Sequence, residues 1–319
     1  MAVIGIDLGG TKLAAAIFAD NGQMLAQQVH ALEKRTGAAV GELITSQIAV
    51  LRTTAAKKRI ALSAVGVSVP GISHSKTGSV WAPNIPGWEN YPLRNEILAA
   101  LGSEPMAVTI DSDRACCILG EAWQGAARGC ANAIFLAVGT GIGAGILSNG
   151  EILRGANAIA GAIGWLALDR PFDLNYVSCG CFEHHASGAG LAKVAKEFLA
   201  KDKRYAGPLR DKVDLTAHDI FEAHAANDPL AAKVLAEAIE FWGMATANLV
   251  SLFNPEKIIF GGGVFGPGAQ FLDAIYAEAS KWAQPISIRQ VKFEVSQLGG
   301  DAGLVGAGCL ALRSLGENR

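Results

Sequence analysis

Continuous apolar runs alternate with helix-period stretches along this chain. Val3-Ile4-Gly5-Ile6 ends on Asp7, passes through Leu8-Gly9-Gly10-Thr11-Lys12 and enters a second apolar run from Leu13 to Phe18, which predicts strand, turn, strand. Asn21-Gly22 is a turn dipeptide and predicts a third strand through Leu25 to Val29. From Gly37 to Lys58, Val40, Leu43, Ile44, Ile48 and Leu51 recur at helical spacing. Ala64 to Val69 then reads as a buried strand, Leu93 to Leu101 as a second helix, Ala107 to Ile110 as a short strand and Arg114 to Gln124 as a third helix.

The opening pattern recurs. Ala133 to Val138 leads into Gly139-Thr140-Gly141-Ile142-Gly143-Ala144-Gly145 and another apolar run, Ile146-Leu147. Such internal duplication predicts two similar lobes facing each other across a cleft, each contributing one loop of phosphate size. Long helical stretches follow, Leu191 to Lys201 and Pro229 to Leu252, and a strand from Lys257 to Phe260 ends in Gly261-Gly262-Gly263. Strands alternating with helices predict the α/β class. Leu304 to Leu315 reads as a helix that returns to the first lobe and makes it discontinuous.

The 319 residues suffice for two domains, and a net charge of -2 offers no field that would attract a nucleic-acid backbone or anionic lipid. Met1 to Thr11 carries Asp7 inside its apolar run and lacks a basic leader, and no stretch stays apolar for the roughly 18 residues of a bilayer span. The six cysteines, two of them adjacent, suit reduced thiols. A cytoplasmic protein with neither nucleic-acid nor membrane partners is expected.

Polyphosphates are bound by backbone N–H groups that can approach closely, which glycine permits along with positive φ. Asp7, Gly9, Gly10, Thr11 and Lys12 offer such a loop, with a carboxylate placed to hold the water shell of a phosphate-bound Mg²⁺. Gly139, Thr140 and Gly141 offer a second, and Gly261 and Gly262 end a strand where ligands of open α/β sheets sit. Each loop alone could be a plain hairpin; three together point to a nucleotide. Neither Walker A spacing nor a dinucleotide fingerprint is present, which argues against a P-loop enzyme and a dehydrogenase.

These residues resemble the ROK family of bacterial sugar kinases and repressors over nearly the whole chain. The resemblance runs through Asp7 to Lys12, Val69-Pro70-Gly71, Trp81 to Trp88, Asp113 to Glu121, Gly139 to Gly143, and Asn254-Pro255 leading into Gly261 to Gly263. It implies a two-lobed actin-like ATPase fold of the hexokinase superfamily, with lobes at 1–112 plus 303–319 and at 113–302. It implies ATP and Mg²⁺ as cofactors, a homodimer, and Asp113 as the base that takes the proton from a sugar's terminal hydroxyl; read from the residues alone, Asp113 could instead be a helix N-cap. Gly71, Asn84, Ser112, Asp113 and Glu183 are implied sugar contacts. Family repressors carry a helix-turn-helix domain ahead of the first loop, which here begins at residue 7, so the kinase branch is the implied one.

The chain departs from the pattern where the family has Gly-Glu-x-Gly-His, reading Gly161-Ala162-Ile163-Gly164-Trp165, and where the family has Asn-Asp, reading Ser112-Asp113. Two zinc-ligand cysteines of the family fall on Leu174 and Tyr176, leaving Cys181 alone in register, so zinc is not expected and no metal ligand is assigned among the cysteines. Cys179, Cys181, His184 and His185 read instead as buried thiols and surface histidines. Trp165 and Tyr176 bring aromatic surface that favours a substituted or differently oriented sugar, or else Trp165 fills the volume of the lost metal site. A hexose or hexosamine-like substrate is expected; the competing readings are a catalytically weak sugar-binding or regulatory protein and an ATPase or acyl-phosphate kinase.

Overall fold

A computed structural model describes residues 1–316; positions 317–319, assigned above to the first lobe, lie outside the described residues. The chain divides into two units. The first comprises Met1–Gly129, Ile152–Ala160 and the residues from Gln297 onward, and the second Cys130–Glu151 and Gly161–Ser296.

In the first unit, β1 (Ala2–Leu8), β2 (Lys12–Ala19) and β3 (Met24–Ala31) form an antiparallel meander, with Gly22 at positive φ in the connecting turn. After α1 (Ala38–Lys57) come β4 (Leu62–Val69) and a two-stranded ribbon, β5 (Ile72–His74) and β6 (Ser79–Trp81). Next are α2 (Leu93–Leu101), β7 (Ala107–Ser112) and α3 (Asp113–Gln124). The sheet order is β3-β2-β1-β4-β7, with β4 parallel to both β1 and β7. β1 and β4 are covered on both faces, which is why they read as unbroken apolar runs rather than alternating ones.

The second unit repeats the plan. β8 (Ala133–Val138) and β9 (Ile142–Ser148) are antiparallel, and the short β10 (Glu151–Ile152) edges the sheet. Four helices follow, α4 (Cys181–Ala186), α5 (Gly188–Lys201), α6 (Ala217–Ala225) and α7 (Pro229–Phe253). β11 (Lys257–Gly261), α8 (Leu272–Trp282) and β12 (Lys292–Val295) complete an order of β10-β9-β8-β11-β12. Strand for strand this matches the first sheet, including the parallel pairing of β11 with β8 and β12. The duplicated sequence pattern thus corresponds to a duplicated sheet.

The last helix, α9 (Ala302–Gly316), belongs to the first unit. Its glycines let backbone meet backbone. A Cβ on Gly306 would lie 1.7 Å from the Cys116 carbonyl oxygen of α3, and one on Gly66 of β4 would lie 2.0 Å from the Ala307 oxygen of α9. Gly5 of β1 makes a similar approach to Gly308. No described helix is long and apolar enough to cross a membrane. None of the six cysteines is in a disulfide, and burial raises the thiols of Cys116 and Cys117 well above their ordinary value.

Alanine is the better helix former, so Gly306→Ala would stabilise an isolated helix by about 1 kcal/mol. In this protein it drives a methyl into rigid backbone, and net destabilisation of about 2 kcal/mol or more is expected. Gly316→Ala, with open space at its Cβ, stays within about 0.5 kcal/mol of the parent. Urea unfolding of the two variants measures the difference.

Candidate functional site

β1 delivers Asp7 to the edge of the first glycine loop. Gly9 N–H donates to the Lys12 carbonyl at 2.9 Å and Leu32 N–H to the Thr11 carbonyl at 2.8 Å, so the loop is a closed hairpin with Gly10, Thr11 and Lys12 exposed. Gly9 and Gly10 do not adopt positive φ, contrary to the reason anticipated for them; a Cβ on Gly10 would meet nothing within 4 Å. Bare backbone open to a ligand is what these glycines provide. The Asp7 carboxylate lies against the start of α9, where a Cβ on Gly303 would be 2.6 Å from Oδ1. Burial pushes Asp7 up to about 6, with the Asp113 and Asp301 carboxylates adding to the effect and Lys12 opposing it.

β7 ends on Asp111 and Ser112, and α3 begins at Asp113. The N-cap is Ser112, whose Oγ accepts from Ala115 N–H at 3.3 Å; Asp113 is the first helical residue and not the cap. Its Oδ1 accepts from Arg114 N–H at 2.8 Å. Burial raises the Asp113 carboxyl and the Arg114 charge works against it. Asp7 and Asp113 are each intermediate in exposure and raised by burial, a combination that marks candidates for a functional site.

Sequence reasoning missed a partner of this elbow. Arg154 places Nε 2.8 Å and Nη2 2.7 Å from Oδ2 of the buried Asp111, while Asp111 Oδ1 accepts from Ser112 N–H at 2.8 Å. The pair is separated by forty-three positions, and neither residue carries a local pattern that announces it.

Of the other anticipated sugar contacts, Gly71 is packed so that a Cβ would lie 2.0 Å from the Trp81 carbonyl oxygen, and Asn84 is exposed in the turn after β6. Trp88 is core: its Nε1 donates to the Gly37 carbonyl at 3.0 Å and its ring stacks on Tyr91 at 4.4 Å. Ser112 is buried as the cap.

In the second unit the Gly139–Thr140–Gly141 turn sits on the start of α5, with Gly188 N–H donating to the Gly139 carbonyl at 2.8 Å and Ala189 N–H to that of Thr140 at 3.3 Å. Glu183 Oε2 accepts from Ile142 N–H at 2.6 Å, and a Cβ on Gly141 would lie 2.6 Å from the same oxygen. Burial raises Glu183, opposed by that N–H. Gly261 lies under the Phe135 ring, and Gly262 is held at φ 88° with a Cβ position 2.3 Å from the Val138 carbonyl oxygen, so here glycine is required on both counts. Cys179 Sγ accepts from Lys193 Nζ at 3.7 Å, and Cys181 is buried. His184 and His185 are not surface residues: His184 is buried, and both imidazoles face carboxylates. Trp165 is 59% exposed, so it does not fill the volume assigned to it; Tyr176 is the buried aromatic. Among the described residues no group of three or more His, Cys, Asp or Glu is arranged to hold a metal ion.

Comparison with known proteins gives a match to the ROK family model over residues 3–314. A glucokinase of Halalkalibacterium halodurans is 34% identical, with 96% of this chain and 94% of the relative covered. The ROK hexokinase of Thermus thermophilus superposes with a TM-score of 0.82 at 28% identity, covering 99% of this chain and 100% of that one. A ROK family glucokinase from Streptomyces griseus, solved with glucose and AMPPNP, gives 0.77 at 31% identity over 98% of this chain and 100% of that one.

The ordinary value for Asp7 is 3.8, so a folded value of about 6 means that the native state holds its proton more tightly than the unfolded chain does. Its contribution to stability therefore falls as pH rises between those values, and a penalty of roughly 2–3 kcal/mol persists above them. Asp7→Asn should stabilise the ligand-free protein at pH 8 and have no such effect at pH 3.5, read by urea titration at both. Arg154→Met leaves the buried Asp111 carboxylate unpaired and should cost about 2 kcal/mol, a moderate figure because the arginine is half exposed; the same titration at pH 8 measures it.

Proposed function

Because this chain belongs to the ROK family and is a sugar kinase of the hexokinase type, we propose that it transfers the γ-phosphoryl group of ATP to the terminal (6-) hydroxyl of a hexose or hexosamine-like sugar, with Asp113 as general base. The observation that carries the assignment is the placement of Asp113 at the start of α3 and of Asp7 at the end of β1 beside an open glycine loop, two carboxylates raised by burial, with the Asp113 charge adding to the effect at Asp7.

Phosphoryl transfer asks mainly for positioning and charge stabilisation. Asp113 accepts the hydroxyl proton as the sugar oxygen bonds to the γ-phosphorus, and the bond to the departing ADP breaks. Burial makes Asp113 a stronger proton acceptor than an exposed aspartate, which suits a base that takes its proton late. Arg154 holds the neighbouring Asp111 and so keeps the elbow that presents Asp113. Gly9, Gly10, Thr11 and Lys12, with Gly139, Thr140, Gly141, Gly261 and Gly262 of the second unit, are assigned to ATP. Gly71, Asn84, Ser112 and Glu183 are assigned to the sugar.

The residues present fit Mg²⁺ held through one carboxylate plus substrate phosphates, with Asp7 as the ligand, since burial leaves its carboxyl raised and a hard cation favours the ionised form. When bound it would neutralise charge on the phosphates. Exposed Leu252, Trp282 and Ile286 support a homodimer, and the reading carries with it a cytoplasmic location.

Coupled ADP release from ATP and Mg²⁺ across hexoses, amino sugars and N-acetyl sugars tests the proposal. Sugar-dependent turnover should fall by at least about 10²-fold in Asp113→Asn with ATP binding kept. No turnover with any sugar would sink it in favour of a sugar-binding or regulatory protein.

A further inference from the structure

The second unit contains a hydrogen-bonded chain that the proposed reaction does not use. Helix α4 is only six residues long, and its N-cap, Gly180, makes no side-chain cap bond. A helix this short is not stable by itself, so its place depends on what grips it. Its last residue is gripped by α7, because Trp242 Nε1 donates to the Ala186 carbonyl at 3.0 Å.

Glu183 and His185 are two positions apart on α4, about 200° around the axis, and face opposite ways. Glu183 turns to the glycine loop and accepts from Ile142 N–H. His185 turns to α7, where its ring stacks on Phe241 at 4.1 Å and 8° and its Nδ1 lies 2.8 Å from Glu237 Oε1. Glu237 and Phe241 are four apart and share one face of α7. On the other side of the imidazole, Nε2 lies 2.9 Å from the hydroxyl of the buried Tyr176. A carboxylate oxygen accepts, so Nδ1–H donates to Glu237, while the donor at the contact between Nε2 and the tyrosine hydroxyl is set by whether Nε2 carries a hydrogen. His184, the adjacent residue, places Nε2 3.2 Å from Glu197 of α5.

We propose that the Tyr176–His185–Glu237 chain, braced by His184–Glu197, is a metal-free anchor that fixes α4 and thereby positions Glu183. The donor set does not fit the zinc site that the family pattern implies. Of the two lost cysteine positions, Leu174 is 82% exposed and the Tyr176 hydroxyl lies between His185 and Cys181, the one cysteine in register, while each imidazole faces a carboxylate through one nitrogen, leaving His184 Nδ1 buried without a protein partner. A tyrosine at a former ligand position, joined to an imidazole on the helix, ties the same loop to the same helix by hydrogen bonds. Tyr176, His185 and Glu237 are positioning residues, since they act through Glu183.

The proposal rests on the assignment of Glu183 to the sugar, and its test separates the two. Tyr176→Phe and Glu237→Leu should raise the sugar KM about five- to tenfold and leave the ATP KM within about twofold. Glu237→Gln, which keeps an acceptor for Nδ1, should restore most of the loss. Independently of activity, the imidazole nitrogen-15 NMR signals of the parent should report an Nδ1–H tautomer at His185 that Glu237→Leu abolishes, and Tyr176→Phe should lower Tm. Purified protein should hold no stoichiometric zinc, and dialysis against EDTA followed by return of Mg²⁺ should leave Tm and sugar KM unchanged. Stoichiometric zinc whose removal lowers Tm, or variants with parental Tm and ring signals, would overturn the anchor. If Glu183→Gln keeps the parental sugar KM, the role of Glu183 fails, and the anchor stands or falls on Tm, ring signals and metal content.

Discussion

The first unit depends on one close approach, that of α9 against β1, β4 and α3. It is possible only because side chains are missing at the contacts: Gly66 and Gly306 each meet a carbonyl oxygen where a methyl group could not fit, and Gly5 meets Gly308. The consequence reaches the chemistry. α3 starts at Asp113, and the beginning of α9 closes over Asp7 at Gly303, so both carboxylates are placed by backbone packed on backbone. Sites built on such elements keep their geometry better than sites on loops.

That enclosure costs stability and sorts the carboxylates. Asp111 is buried and answered by Arg154; Asp7 and Asp113 are surrounded without an equivalent cation and are raised by burial. Three aspartates at the ends of β1 and β7 and the start of α3 therefore fall into different states, one ion-paired and two raised by burial. Environment rather than residue type sets the division of roles. The raised carboxylates are a standing cost to the stability of the free protein.

The second unit uses the same sheet for a different purpose. Its glycine turn is held through carbonyls that receive the first N–H groups of α5, and its acidic residue, Glu183, rides on a helix too short to place itself. Hydrogen bonds from three other elements do the placing. The two sheets share one strand order while the elements around them differ.

Local and periodic features were legible in the sequence alone. The helices at α1, α2 and α7, the buried strands, the repeated strand–turn–strand and the Asn21-Gly22 turn all follow from spacing within a few residues, and the motif order led to Asp7, Asp113, Glu183 and the glycine loops. A helix near Leu304 to Leu315 was legible too, but the reason for its glycines was not, because that reason is the backbone of Cys116 and Ala307 brought against it by folding. Arg154 with Asp111, and Tyr176 with His185 and Glu237, were equally hidden, since their partners lie 43, 9 and 52 positions away. The histidines read as surface, and filler stood as one of two readings of Trp165, for the same reason: burial is decided by which elements close over a residue, and no short-range pattern records that. Sequence determined which elements form and which residues are the candidates for chemistry; tertiary structure decided which charges are paired, which are left raised, and what holds Glu183 in place.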